Sequence, residues 1–249
     1  MTTTKKEPRS RLLTSVLRAL ALLDVLADVE TSVGASDLAG RVDADRSSVF
    51  QQLQTLVHAG WVEQLPDATY RLTLKAFTVA NGAMTQAGLG ARLTPWLDRL
   101  ATRAGETASL VMIDGTQAIV VARREPSVAM KANIDIGTSL SMRTSASARI
   151  LLAVAEPGVV EDLRHAGVET PSDRELAQYR TQGWSEQCDE LYPGMHSVAI
   201  ALRTTQGADA ALSLAGPTGR IDRHAVLDHL RAAAAEAPDG MVPPLPRDT

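Results

Sequence analysis

The sequence predicts an α+β protein in two parts, a small N-terminal winged helix-turn-helix and a larger C-terminal domain built on a sheet. Three observations carry this. Three amphipathic helical stretches and a short β-hairpin follow one another between Leu12 and Leu74. Asp114-Gly115, the turn most diagnostic of a hairpin, separates two β-like runs in the second part. Helical and strand-like stretches then mix as far as Ala237, the pattern of a mixed or antiparallel sheet flanked by helices.

From Leu12 to Leu26, apolar residues fall at Leu13, Val16, Leu17, Leu20, Leu23 and Leu26, one stripe of a helix. Thr31 to Gly34 breaks it. A short second helix follows, with Ser36 as expected N-cap, Asp37 in the first turn where the helix dipole favours an acid, and Leu38, Ala39 and Val42 inward. Asp45 is placed to cap a third helix, Arg46 to His58, whose Val49, Leu53, Leu56 and Val57 form its apolar face and which stops at Gly60. Trp61–Leu65 and Thr69–Leu74, around Pro66-Asp67-Ala68, read as a hairpin. The third helix would enter a major groove and the hairpin would form the wing.

Lys75 to about Gly90 reads as a helical linker, and Thr94-Pro95 opens the next helix. Strands are expected at Ala108–Ile113, Gln117–Ala122 and Ala129–Ile136, and helices at Ser145–Ala155, Val159–Ala166 and Asp173–Gln182, the last capped by Ser172. Three β-like runs, Trp184–Cys188, Ser197–Leu202 and Ala210–Ala215, precede a closing helix at Asp222–Ala237. The expected organisation is a basic arm at 1–10, the winged helix-turn-helix at 11–74, a linker at 75–91, the second domain at 92–237 and a disordered tail at 238–249.

The 249 residues suffice for two cores, and aromatic residues are only 3% of them, so Ala, Leu and Val must supply the packing. No run approaches the roughly 20 apolar residues of a membrane helix, and the N-terminus lacks a secretory pattern, so a cytoplasmic protein without membrane partners is expected. The single cysteine, Cys188, excludes an intrachain disulfide and a cysteine-cluster zinc site. The net charge of −4 argues at first against a nucleic-acid partner. Its distribution softens that objection. The first twenty residues carry Lys5, Lys6, Arg9, Arg11 and Arg18 against Glu7 alone, and residues 1–75 balance nine basic with nine acidic side chains. Local basic surface, not whole-protein charge, is what DNA binding needs.

These segments together resemble the IclR-type transcriptional regulators over roughly Leu13 to Glu236. The resemblance is distributed: Ala19-Leu20-Ala21-Leu22-Leu23, Arg46-Ser47-Ser48-Val49, Leu56 through Glu63, and Tyr70-Arg71-Leu72 in the first part. In the second part it lies in Gly105-Glu106-Thr107-Ala108, Asp114-Gly115, Ser145 through Arg149, Pro193 through Ala199 and Leu212 through Pro217. It implies a GAF-like effector domain, dimers or dimers of dimers, double-stranded operator DNA as partner, and promoter control by a small-molecule effector, with repression the better reading.

In the reading helix Arg46, Ser47, Ser48, Gln51 and Gln52 lie on or near the face opposite Val49, Leu53 and Leu56. Arg pairs with guanine edges, Gln with adenine, and Ser hydroxyls suit phosphates or bases; the alternative is a merely solvated face. Phe50 is open between a thymine-methyl contact and a core residue. Arg71 in the wing and Arg9 and Arg11 in the arm are phosphate candidates or idle surface charges. In the second domain, Ser145, Ala146 and Ser147 open a helix whose free N–H groups and dipole form an anion seat, or simply allow close packing. The resemblance adds Leu140, Gln187, Met195, Ser197, Ser213 and Ala215 around the effector. Relatives commonly have His at Arg143, Cys at Ser197, Ser at Ala215 and an acidic pair at Gln187-Cys188. Fewer carboxylates with an added hydroxyl and guanidinium imply a different effector from the small keto acids of some relatives. The anion seat with Arg143 points to an organic acid or carboxylate-bearing metabolite; the alternative for Arg143 is a structural ion pair.

Two other function classes compete with this reading. The histidines His58, His165, His196, His224 and His229 are scattered without metal spacing, and no nucleophile elbow, P-loop or dinucleotide glycine pattern is present, so neither an enzyme nor a cofactor or metal site is expected. A protein-docking module would bind no duplex DNA, even at low salt.

Overall fold

The computed structural model describes residues 12–86, 93–156, 158–204, 207, 209–238 and 241. It divides into two compact units, Met1–Ala83 and Met84–Thr249. The expected basic arm, with Arg9 and Arg11, lies outside the described residues, as does most of the expected tail.

The first unit runs α1 (Thr14–Ala27), β1 (Val33–Gly34), α2 (Ala35–Arg41), α3 (Arg46–His58), β2 (Val62–Gln64), β3 (Thr69–Leu72) and the start of α4 (Lys75–Gln86). Its core gathers Leu22, Leu26, Leu38, Val49, Leu53, Leu56, Val62 and Tyr70. The wing is a three-stranded sheet in the order β1-β3-β2, with Val33 opposite Tyr70 and Gly34 opposite Thr69. Two-residue β1 is too short to carry a periodic signal, and it corrects the expected cap of α2. Held extended by its pairing with Thr69, Gly34 occupies the N-cap position, and Ser36 falls inside the first turn. The apolar stripe of α1 is longer than the unit can cover: Leu22 and Leu26 are buried, whereas Leu13, Val16, Leu17 and Leu20 remain 49–68% exposed.

The second unit contains α5 (Leu93–Ala104), β4 (Thr107–Asp114), β5 (Gln117–Arg124), β6 (Ser139–Leu140), α6 (Ala146–Val154), α7 (Val159–His165), α8 (Asp173–Gln182), β7 (Ser185–Cys188), β8 (Met195–Arg203), β9 (Asp209–Pro217) and α9 (Arg223–Ala235). The strands form one sheet in the order β6-β5-β4-β9-β8-β7, antiparallel throughout. Helices α5 and α9 cover one face over Leu110, Leu212 and Leu214, where the Trp96 indole N–H donates to the Ala233 carbonyl at 2.9 Å. The other face packs Val111, Val120, Ala199 and Ala211 against Ile150, Leu151 and Leu152 of α6.

The strand expected at Ala129–Ile136 is not one. This segment alternates buried Ala132 and half-buried Ile134 with exposed Lys131, Asn133 and Asp135, so its period of two is real. It crosses over the sheet face and is tied down by side chains instead of a ladder. The Thr107 hydroxyl donates to the Ala132 carbonyl, and the Arg123 guanidinium donates to Asn133 and Asp135. The edge strand beside β5 is the shorter β6.

One close approach fixes a glycine. The buried Glu106 carboxylate, held by two hydrogen bonds from Arg220 at 2.6 and 2.7 Å, lies against the backbone of Gly216 so closely that a Cβ there would overlap it. Gly216→Ala must therefore push Glu106 away from Arg220, a small-to-large change in a filled site. Equilibrium urea unfolding is expected to give a loss of about 2 kcal/mol, and a smaller loss when the substitution is placed on a Glu106→Ala background.

Candidate nucleic-acid interface and ligand site

The start of α3 is fixed by a single carboxylate. Asp45 accepts from the Ser48 N–H at 2.9 Å and from the hydroxyls of Ser47 and Ser48 at 2.6 Å each. Those hydroxyl donations, with the backbone bond, hold its pKa well below the usual carboxylate range. Ser47 and Ser48 thus spend their hydroxyl protons on the cap and keep only acceptor lone pairs for an outside partner.

At about 100° per residue, Ser47, Gln51, Gln54 and His58 point away from the Val49-Leu53-Leu56 core, and all four are exposed. Arg46 and Phe50 lie one turn apart on the flank of that surface and are also exposed. Ser48 and Gln52 sit on the opposite flank, half-buried, with the Gln52 Oε1 buried and without a hydrogen-bond partner among the described residues. They are therefore less available than their placement opposite the core suggested. A groove of about 600 Å³ opens between the start of α2, the start of α3 and the wing, lined by Arg46, Ser47, Phe50, Gln64 and Tyr70 among others. Gln54 and Gln64 were not singled out from the sequence. Spacing from Gln51 could have flagged the first, but only the fold brings the second to α3.

Arg71 is exposed in the wing and bonded across it to Glu63 at 2.7 Å. The wing is anchored at its exit, where the Thr73 hydroxyl donates to the Gly60 carbonyl and the Lys75 ammonium donates to Ala59. Lys75 also lies 5.3 Å from the Trp61 ring centre.

In the second unit, the α6-facing side of the sheet has a seam. Along β9, Ala211 packs under α6 and Ala215 packs under Ala132, with Ser213 between them. Along β4, Val111 lies under α6 and Thr107 bonds Ala132, with Ser109 between them. Along β8, Ser197 separates Ala199 from Met195 in the same way. Ser109, Ser213 and Ser197 are all less than 9% exposed, so small hydroxyl side chains occupy the strip of sheet between the two apolar clusters.

The first turn of α6 belongs to the same sheet face. Ser145 caps it by accepting from the Ala148 N–H, and the Ser185 hydroxyl donates to the Ala146 carbonyl at 2.5 Å. Among the described residues the N–H groups of Ala146 and Ser147, and the Ser147 hydroxyl, have no hydrogen-bond partner. Leu140 is buried on this face, in the α6 cluster.

Two of the sequence-predicted residues are already engaged. Gln187 donates to the Met195 carbonyl and to Ser197 Oγ, and it accepts from the N–H groups of Glu190 and Leu191. The Arg143 Nη1 lies 3.2 Å from Glu175 Oε1, so its charge is matched by a structural ion pair, although that buried nitrogen makes no hydrogen bond of good geometry among the described residues. The Ser172 capping box and Arg143 together lower the Glu175 pKa. Arg149, which sequence reasoning did not select, ties the surround together. Buried to 5% exposure, it donates to the Arg143 carbonyl at 2.9 Å, to the Glu186 carbonyl at 2.8 Å and to both oxygens of Glu190.

Among the described residues no group of three His, Cys, Asp or Glu side chains could hold a metal ion, and no helix is long and apolar enough to cross a membrane. Cys188 is exposed, and desolvation with the neighbouring Asp189 charge raises its thiol pKa, opposite to what a reactive thiolate needs.

Comparison with known proteins agrees with this division. The IclR helix-turn-helix domain model matches residues 15–66, and the bacterial transcriptional regulator IclR C-terminal model matches residues 81–239. The chain is 30% identical to the HTH-type transcriptional regulator BhcR of Paracoccus denitrificans, over 91% of this chain and 86% of that protein. It is 28% identical to the acetate operon repressor of Salmonella typhimurium, over 83% and 81% of the two chains. An IclR homologue of Microbacterium hydrocarbonoxydans, solved with 4-hydroxybenzoate, has the same fold, with a TM-score of 0.74 at 21% identity over 89% of this chain and 96% of that one. Two units in this order, each matching its own family model, place the chain in the IclR family of transcriptional regulators.

Proposed function

We propose that the protein is a repressor that binds operator DNA through α3 and the wing and is released or retained by a small organic acid bound in the second unit. The observation that carries this is the capped, outward face of α3, with Arg46, Ser47 and Gln51 exposed beside a groove bounded by the wing. Arg46 is the guanine reader and Gln51 the adenine reader. Arg71 is a phosphate contact reached by exchanging Glu63 for the backbone. The relatives named as repressors favour repression over activation. The protein acts on DNA in the cytoplasm and catalyses no reaction.

The working unit is a homodimer or a dimer of dimers, as reading two half-sites requires. The uncovered apolar face of α1, with Leu74, Phe77 and Val79 at and after the end of the wing, supports assembly through the first unit. The effector site is the hydroxyl seam with the two free N–H groups of α6. Its small floor and anion-favouring helix start suit a carboxylate, and a relative of the same fold carries 4-hydroxybenzoate. With Arg143 matched by Glu175, the helix start rather than that guanidinium receives the acid. The switch operates because the effector binds two arrangements of the dimer with unequal affinity.

Three measurements test this. Log–log salt titration of duplex binding should be linear and steep, with Arg46→Ala weakening the selected operator roughly tenfold or more; absence of duplex binding at low salt would favour a protein-docking role. Leu17→Glu with Leu20→Glu should halve the sedimenting mass while leaving the far-ultraviolet circular dichroism unchanged. A calorimetric screen should find acids that bind and neutral analogues that do not. Ser213→Leu, which fills the seam, should abolish that heat and the effector response while operator affinity stays within about twofold, and binding by neutral compounds alone would overturn the assignment.

A further inference from the structure

The chain has only two phenylalanines, and neither lies in a core: Phe50 is 48% and Phe77 is 72% exposed. Phe50 is the anomalous one. It stands on α3 among Arg46, Ser47, Gln51 and Gln54, all polar and exposed, while the apolar duty of the helix is already discharged by Val49, Leu53 and Leu56. A large exposed apolar side chain on an otherwise polar surface is the informative case, because it forgoes burial unless a partner supplies it.

Resting on the operator reading above, we infer that Phe50 is a base-specificity residue that packs on the C5-methyl group of a thymine. In the major groove the donor and acceptor edges of all four base pairs are polar, and the thymine methyl is the apolar feature that protrudes. Phe50 follows Arg46 by one helical turn on the same flank, about 6 Å along the helix axis. The thymine therefore lies within about two base pairs of the position contacted by Arg46. Phe50 lines the groove beside the wing and is half-exposed, so part of its apolar surface is available to a methyl group.

The test uses the full-length protein and a duplex selected from a random pool, resynthesised with deoxyuridine replacing thymine at one position at a time. This exchange removes a methyl group and leaves every hydrogen-bonding edge intact. One position per half-site is expected to lose roughly fourfold in affinity, the worth of one buried methyl. Phe50→Ala should bind the thymine duplex more weakly and be indifferent to deoxyuridine at that position, while Phe50→Leu keeps part of the discrimination. Uniform indifference of the unmodified protein to deoxyuridine, or undiminished sensitivity in Phe50→Ala, overturns the inference alone. Failure of any duplex to enrich at low salt overturns the operator reading and this inference with it.

Discussion

The second unit of the molecule is organised around one buried cation. Arg149 reaches the carbonyl before the α6 turn, the carbonyl of β7 and the Glu190 carboxylate in the turn beyond it. Burial would lower the Arg149 pKa, but the Glu190 pair and nearby acidic groups outweigh that and raise it. A guanidinium is suited to this because its planar fork spends several donors in fixed directions at once. Two chain segments far apart in sequence, 143–149 and 186–190, are thereby held in one arrangement. A neutral side chain of the same length would leave two carbonyls and a carboxylate unpaired at the wall of the site.

The DNA-facing half solves its positioning problem with the opposite charge and in plain exposure. There the Asp45 carboxylate gathers three donors at the first turn of α3, and the wing is pinned to the other end of that helix through Thr73 and Lys75. The reading surface is consequently braced at both ends, at its start by contacts within three residues and at its end by contacts 13 and 16 residues apart across the wing hairpin. The ligand seam, by contrast, depends on strands and helices far apart in sequence.

That difference explains what could be read in advance. Helices α3 and α8 were placed to the residue, because Asp45 and Ser172 are side-chain caps whose chemistry is local. The hairpin at Asp114-Gly115 was equally plain, for the same reason. The start of α2 was misplaced because its N-cap is set by a two-residue strand paired with Thr69, a partner invisible to local pattern. The segment around Ala132 shows true alternation yet forms no strand, since period two reports a face and not a ladder. At the hydroxyl seam proposed as the ligand site, Ser197 and Ser213 came through family resemblance, whereas Ser109 and Arg149 become meaningful only when the sheet register and the Glu190 turn are known. Gln187 and Arg143 also came through the resemblance, as departures from relatives, and the fold engages Gln187 in hydrogen bonds and Arg143 in an ion pair.

The near-neutral charge of the first 75 residues also bears on how such a protein finds its place in a chromosome. A strongly basic reader clings to any duplex through counterion release and spends its time on irrelevant sequence. Here even the wing cation is tethered to Glu63. On the proposed operator reading, the first unit brings no net positive charge to arbitrary duplex, so selectivity over it rests on contacts to base edges. Such a reader gains contrast between its own operator and the surrounding genome, where competing sites outnumber the right one by many orders of magnitude.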